Sequence, residues 1–389
     1  MLPQGISQGF VTITLPYLLT HNGFSVATTA AIVAVGVSAN IWRFLWGPLA
    51  DLTLSLRRWY VIGALASTAA LLLLCLTPFT VKGVALLTVI VFISQVASTF
   101  VMLPVGGFMA HRIEAKKKGR AGGWFQAGSL GGVGLGGGAG LWLTTHYSVT
   151  VAGMVLSIAS ILFALVVLLI KDVQRVKNNS IAAELVMMGK DILAMIRIPV
   201  VLFVIILICL PIGSGAAANL WSAIAADWKT DADTVALITG VLSGALSAVG
   251  SVVGGFIADR WGNWVAYLGC AMVCALVTAA MAVLPLRPEE YIAGVLAYAF
   301  GVGLIYAAFS SVLLYAIGRK NASTKYALLS SLGNLPVVYM TSFDGWAHDK
   351  HSSQYMLMAE AVICTLFVLL CIIALGRLRA KNLLLQTID

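Results

Sequence analysis

The sequence predicts an all-α polytopic membrane protein of twelve spans, arranged as two six-helix halves. Three observations carry this. The 389 residues are 60% hydrophobic and only 10% charged, more apolar than a surface facing water allows. Nine windows free of Asp, Glu, Lys and Arg run along the chain, from 1–42 to 326–343, and each reaches the roughly 18–20 residues that cross a bilayer as helix. A short motif that closes one early span also recurs about half a chain later.

Two of the windows hold two spans each. The first breaks at Thr20-His21-Asn22-Gly23 and the window 121–170 at Thr144-Thr145-His146-Tyr147-Ser148, both polar turn-forming stretches. A last span carries Glu360 within it. The twelve spans fall at about 4–20, 26–48, 59–78, 84–109, 122–143, 148–170, 199–224, 233–257, 264–285, 291–317, 325–345 and 354–376, with boundaries good to a few residues.

Of the 24 basic residues, nineteen fall in loops on the side of the termini and four (Lys82, Lys229, Arg287 and Lys350) in the opposite loops, while Arg43 lies inside a span. By the positive-inside rule this bias predicts cytoplasmic termini. The net charge of +9 is therefore read as a topology signal, and its spread over six segments argues against nucleic acid as partner. All six cysteines lie within spans and read as small core residues, with no disulfide or metal framework. No residue pattern calls for a cofactor.

The polar segment 171–198 divides the chain into an N-terminal half, 1–170, and a C-terminal half, 199–389. Gly47-Pro48-Leu49-Ala50-Asp51 closes span 2, followed by Arg57-Arg58, and Gly255-Phe256-Ile257-Ala258-Asp259-Arg260 closes span 8. Both read G-x-x-x-D before a basic turn. This plan resembles the major facilitator superfamily, whose members have two homologous six-helix halves. The resemblance implies that Gly47 and Gly255 permit close helix contact. It also implies that Asp51 meets the start of span 11 near Ser323-Thr324 and Asp259 the start of span 5, latching a cytoplasmic gate.

Trp42-Arg43-Phe44-Leu45-Trp46-Gly47-Pro48-Leu49-Ala50-Asp51, with Arg57-Arg58-Trp59, further resembles the signature of the peptide–acetyl-coenzyme A–drug transporter group, which includes the AmpG muropeptide permeases. Arg43 replaces the usual lysine, which keeps charge but changes geometry; Leu56 replaces the usual glycine. The run Gly131-Gly132-Val133-Gly134-Leu135-Gly136-Gly137-Gly138 contains G-x-G but has no preceding strand and no phosphate-binding lysine, so it does not read as a nucleotide loop. Such small residues let helices approach closely, here span 5 against a span of the other half.

Polar residues in hydrocarbon are costly and tend to mark pathways. Candidates for the solute pathway are Arg43, Gln95, Gln126, Asn219, Trp221, Tyr298, Tyr306, Asn334 and Tyr339. Glu360, the one carboxylate well inside a span, and Asp344, at the outer end of span 11, are candidates for carrying a coupling proton. The predicted protein is a non-enzymatic, monomeric secondary transporter in the bacterial cytoplasmic membrane. It is expected to move a polar or anionic organic solute (muropeptide-, sugar- or peptide-like, or an acyl metabolite) by alternating access coupled to protons. The alternatives are a drug or metabolite exporter of the same fold and, in a different class, a non-transporting membrane sensor.

Overall fold

The computed structural model describes residues 1–80, 83–112, 125, 128–172, 182–183, 186–187, 189–190, 193, 198–317 and 328–380, without the side chains of 47–52, 110–112, 199–200, 314–317 and 379–380. Helix is found in each of the twelve predicted spans, and the described residues contain no strand. The helices are α1 (2–21), α2 (Val26–Leu52), α3 (Leu56–Leu76), α4 (Val84–Arg112), α5 (128–146) and α6 (Val149–Leu169), followed by α7 (Pro199–Cys209, resuming over 216–228), α8 (Ala232–Trp261), α9 (Asn263–Val283), α10 (Pro288–Ile317), α11 (328–350) and α12 (Ser353–Ala380). The end where α1 begins is called terminal below, and the opposite end distal.

Eight of these helices are individually long and apolar enough to cross a membrane. The other four, α1, α5, α7 and α11, are interrupted. A π turn occupies Phe10–Thr14 of α1 and another Leu135–Ala139 of α5. Thr14 Oγ1 donates to the carbonyls of Gly136 and Gly137, each at 2.9 Å, so one side chain serves the loosened backbone of its neighbour. A third π turn lies in α8, at Ala236–Leu242. In α11 the turn at Gly333-Asn334 precedes Pro336, which has no N–H to donate to the preceding helical turn.

The predicted single helix at 199–224 is corrected: α7 is broken in the middle. Pro211 cannot continue the ladder and drives Leu210 to extended backbone (φ −82°, ψ 154°). Gly213 and Gly215 then take left-handed φ of 59° and 73°. Backbone freed inside a membrane must find partners. Tyr339 of α11 donates to the Cys209 carbonyl at 2.9 Å and Tyr267 of α9 to that of Ile212 at 3.2 Å.

One buried apolar cluster is built mostly from α7–α12, and a second from α1–α4 and α6. Between the two sets, α2 packs on α11, α5 on α8 and α1 on α7. These seams are tight in the distal half. A Cβ on Gly345 would stand 2.3 Å from that of Ala30, and one on Gly240 would stand 2.6 Å from the Gly138 Cα. Ser222 Oγ donates to the Ile13 carbonyl at 2.6 Å. The glycine run of α5 faces two ways: Gly138 meets α8, while Gly132 and Gly136 lie against the backbone of Gly5 and Ile6 in α1.

Candidate functional site

Two polar centres sit inside the bundle, both assembled from helices distant in sequence. The first surrounds Arg43, seventeen residues into α2, or about 25 Å from its distal end. Its guanidinium donates to Ser330 Oγ of α11 at 3.1 Å and contacts Met102 Sδ of α4 at 3.2 Å. It is also close enough to Tyr306 of α10 for its charge to act on the phenol. Tyr306, mid-way along α10, is 55% exposed, as expected of a side chain lining a cavity. Arg43 thus turns inward, and the long route to the membrane interface that snorkelling requires is not taken.

The second centre lies in the distal half and is built from α7 and α10–α12. Tyr298 donates its hydroxyl to Glu360 Oε1 at 2.9 Å, and its ring meets Trp221 edge-on at 5.3 Å. Asp344 is within electrostatic reach of Glu360. Asp344 is 0% exposed and Glu360 7%. Both Asp344 oxygens and Glu360 Oε2 have no hydrogen-bond partner among the described residues. Asp344, expected at the outer end of its span, is instead interior, because α11 continues as helix to Lys350. About 21 Å of helix separates it from Ser330 on the same element.

The remaining candidates divide. Gln95 is buried and bridges α4 to α1 through Ser7, at 3.2 Å to Oγ and 3.3 Å to the carbonyl. Asn219 joins α7 to α11 through Thr341 Oγ1 at 3.0 Å. Asn334, at the turn in α11, donates back to the Ser330 carbonyl at 2.8 Å. Tyr339 supports the α7 break. These four act as struts between or within helices. Gln126 lies outside the described residues.

For the gate motifs, Gly47 and Asp51 belong to the last turns of α2. The Asp51 side chain, its expected partners Ser323-Thr324 and most of the start of span 5 lie outside the described residues. Arg57 donates its backbone N–H to Asp172 Oδ1 at 3.3 Å, and its guanidinium bonds the Ile170 carbonyl, so it secures the end of α6. Arg58, Asp259 and Arg260 are exposed. The expected close contact at Gly255 is corrected, since a Cβ there would meet no atom of the described residues within 4 Å. Gly250 and Gly254 make the approach instead, against the Phe300 and Leu304 carbonyls of α10, one helix face away.

Sequence reasoning missed Ser330, Met102 and Thr341, which carry no motif and gain meaning only from the residue opposite. It also missed Asp227, His348 and Asp349. Their one signal was a cluster of ionisable residues where two distal loops leave the membrane.

The profile of the Major Facilitator Superfamily matches residues 2–341. The chain belongs to the major facilitator superfamily. Solved structures agree on the fold. A D-xylose–proton symporter superposes with TM-score 0.72 at 15% identity, covering 94% of each chain. A mutant of the nucleoside transporter NupG superposes with TM-score 0.73 at 12% identity, covering 96% of this chain and 99% of that one. No curated protein sequence matches the chain. As a member of this superfamily, the protein has a multi-pass transporter fold rather than an enzyme's.

Proposed function

We propose that this superfamily member is a monomeric secondary active transporter, moving a polar or anionic organic solute by alternating access in the bacterial cytoplasmic membrane with both termini cytoplasmic. Residues 1–170 and 199–389 are the moving halves, and 171–198 links them. The observation that carries the reading is the inward-turned Arg43, bonded to Ser330 across the seam between the halves. A guanidinium suits bidentate binding of carboxylate or phosphate, and the exposed Tyr306 beside it supplies a hydroxyl and a ring face. The AmpG-like signature around Arg43 favours an anionic muropeptide, peptide or acyl metabolite.

Coupling to protons is assigned to Asp344 and Glu360. Burying a carboxylate as an unpaired anion costs several kcal/mol, and a proton relieves that cost. Asp51 and Asp259, with Arg57, Arg58 and Arg260, are assigned to the gate at the terminal end.

The test is counterflow of pooled metabolites in proteoliposomes, followed by the solute that emerges. Arg43→Lys is expected to keep partial transport and Arg43→Gln to lose it while folding normally. Normal transport by Arg43→Gln would remove the anionic-solute reading.

A further inference from the structure

The distal seam holds a polar contact that the transport site does not use. Beyond the apolar part of α11, its last turn carries His348 and Asp349. Asp349 reaches across to the other half of the molecule. Its Oδ1 accepts from the Val26 N–H at 3.0 Å and its Oδ2 from the Ala27 N–H at 2.8 Å. Those are the first amides of the 27-residue α2, where orphan N–H groups and the helix dipole favour a carboxylate. Ser25 Oγ takes the Thr28 N–H at 3.1 Å, so the cap of α2 is completed by a residue of α11.

His348 braces this cap. Its Nδ1 faces Asp349 Oδ1 at 3.3 Å and its Nε2 faces Asp227 Oδ2 at 2.8 Å. Asp227, at the distal end of α7, also accepts from Ser353 of α12. Carboxylates only accept, and a neutral imidazole donates from one nitrogen alone. Only the doubly protonated ring can serve both partners. The titratable groups facing it are Asp227 from α7 and Asp349 from its own helix; the α2 groups at this cap, the Val26 and Ala27 amides, bond Asp349. His351 turns away to meet the Tyr355 ring, centroids 4.0 Å apart and planes tilted by 41°.

We propose that Asp349 capping α2 is the latch of the distal gate, and that His348, bridging Asp349 to Asp227, makes the latch open when it loses a proton. Burial lowers the His348 pKa, but the hydrogen bonds and charges of Asp227 and Asp349 outweigh it and hold it above the ordinary 6.5. Burial raises both aspartates, and their hydrogen bonds, with His348 among the partners, outweigh it and hold them below the ordinary 3.8. The histidine contribution to closure is therefore fully present below its ordinary value and is lost as pH rises through its closed-state value. The aspartate contribution persists until the pH falls below the usual carboxylate range.

The experiment places spin labels at Tyr147→Cys and Arg287→Cys, exposed on distal loops of the two halves, in purified protein in detergent. Pulsed electron resonance then reads the distance distribution from about pH 5.5 to about pH 8.5, over which the closed-to-open ratio is expected to fall on the order of tenfold. These measurements use an Asp344→Asn/Glu360→Gln background, which removes the proposed proton carriers; there His348→Gln, which keeps one hydrogen bond but cannot titrate, is expected to give a pH-independent ratio. Asp349→Asn is expected to shift toward open at every pH. A pH response that survives in His348→Gln in that background, or a closed fraction unchanged in Asp349→Asn, overturns the latch. Gly345→Ala, which crowds the same seam sterically, separates this failure from that of alternating access. If it opens while the others do not, only the latch falls; if nothing opens the distal end, the moving-halves reading falls with it.

Discussion

At the scale of single residues, charge inside the membrane is the clearest signal, and its meaning depends on what surrounds it. Arg43 has hydrogen-bonding company from the other half of the bundle. Asp344 has none among the described residues for either oxygen. That difference separates their roles. A group with partners binds or holds; an acid without partners is relieved by taking up a proton. Asp344→Asn and Glu360→Gln keep the shapes and remove the titrating groups. Each is expected to stay within about 1 kcal/mol of wild-type stability, since no hydrogen bond of Asp344 is lost and the amide of residue 360 still accepts from Tyr298. Each is expected to flatten the pH dependence of transport. A pH–rate profile unchanged in both variants would exclude the pair as the proton carrier.

At the scale of elements, the break in α7 is the largest departure from a regular span. Its segment Pro211-Ile212-Gly213-Ser214-Gly215 was readable as a helix breaker, but the surrounding window is so uniformly apolar that a span across it reads as continuous. Hydropathy reports which residues avoid water and is blind to whether their backbone is helical. The break rests on two tyrosine hydroxyls and two left-handed glycines. Gly213→Ala forces an L residue into the left-handed region, which costs about 1–2 kcal/mol, and brings its Cβ within 2.6 Å of Ile305 Cδ1. It is expected to lower the thermal unfolding midpoint in detergent more than Gly215→Ala does. Gly215 is also left-handed, with φ 73° and ψ 17°, but its Cβ would meet Val302 only at 3.5 Å, an ordinary contact. Equal shifts would show that the clash with Ile305 contributes nothing.

At the scale of the whole molecule, the twelve-span plan was legible because each window is bounded by charge, and the two halves because G-x-x-x-D recurs at the close of spans 2 and 8. The partner of Arg43 was not legible, because Ser330 comes 287 residues later. The burial of Asp344 was hidden for a related reason. Span 11 reads as ending at about 345, with Trp346-Ala347-His348-Asp349-Lys350 as the following loop, yet packing against α2 keeps that stretch helical. That packing allows one more prediction. Because a Cβ at Gly345 would meet Ala30 at 2.3 Å, Gly345→Ala must shift or part the distal seam. Thiol probes added on the distal side should label a cysteine placed within the seam faster in this variant. Unchanged labelling would mean the seam yields without parting.

The three π turns among the described residues have a bearing on how α1, α5 and α8 tolerate change in length. A π turn carries about one residue more than the α turn it replaces, so each of these helices is longer in sequence than in space by about that amount. Removing one residue from such a turn lets it relax to α geometry while the faces above and below keep their alignment. Removing one from a regular helix rotates everything beyond it by about 100°. Deletion of Leu237, half-exposed in the π turn of α8, is therefore expected to leave a monodisperse protein by size-exclusion chromatography. Deletion of Leu276, exposed in the unbroken α9, is expected to aggregate. Aggregation of both would mean that the surplus residue is held by its neighbours and is not free to leave.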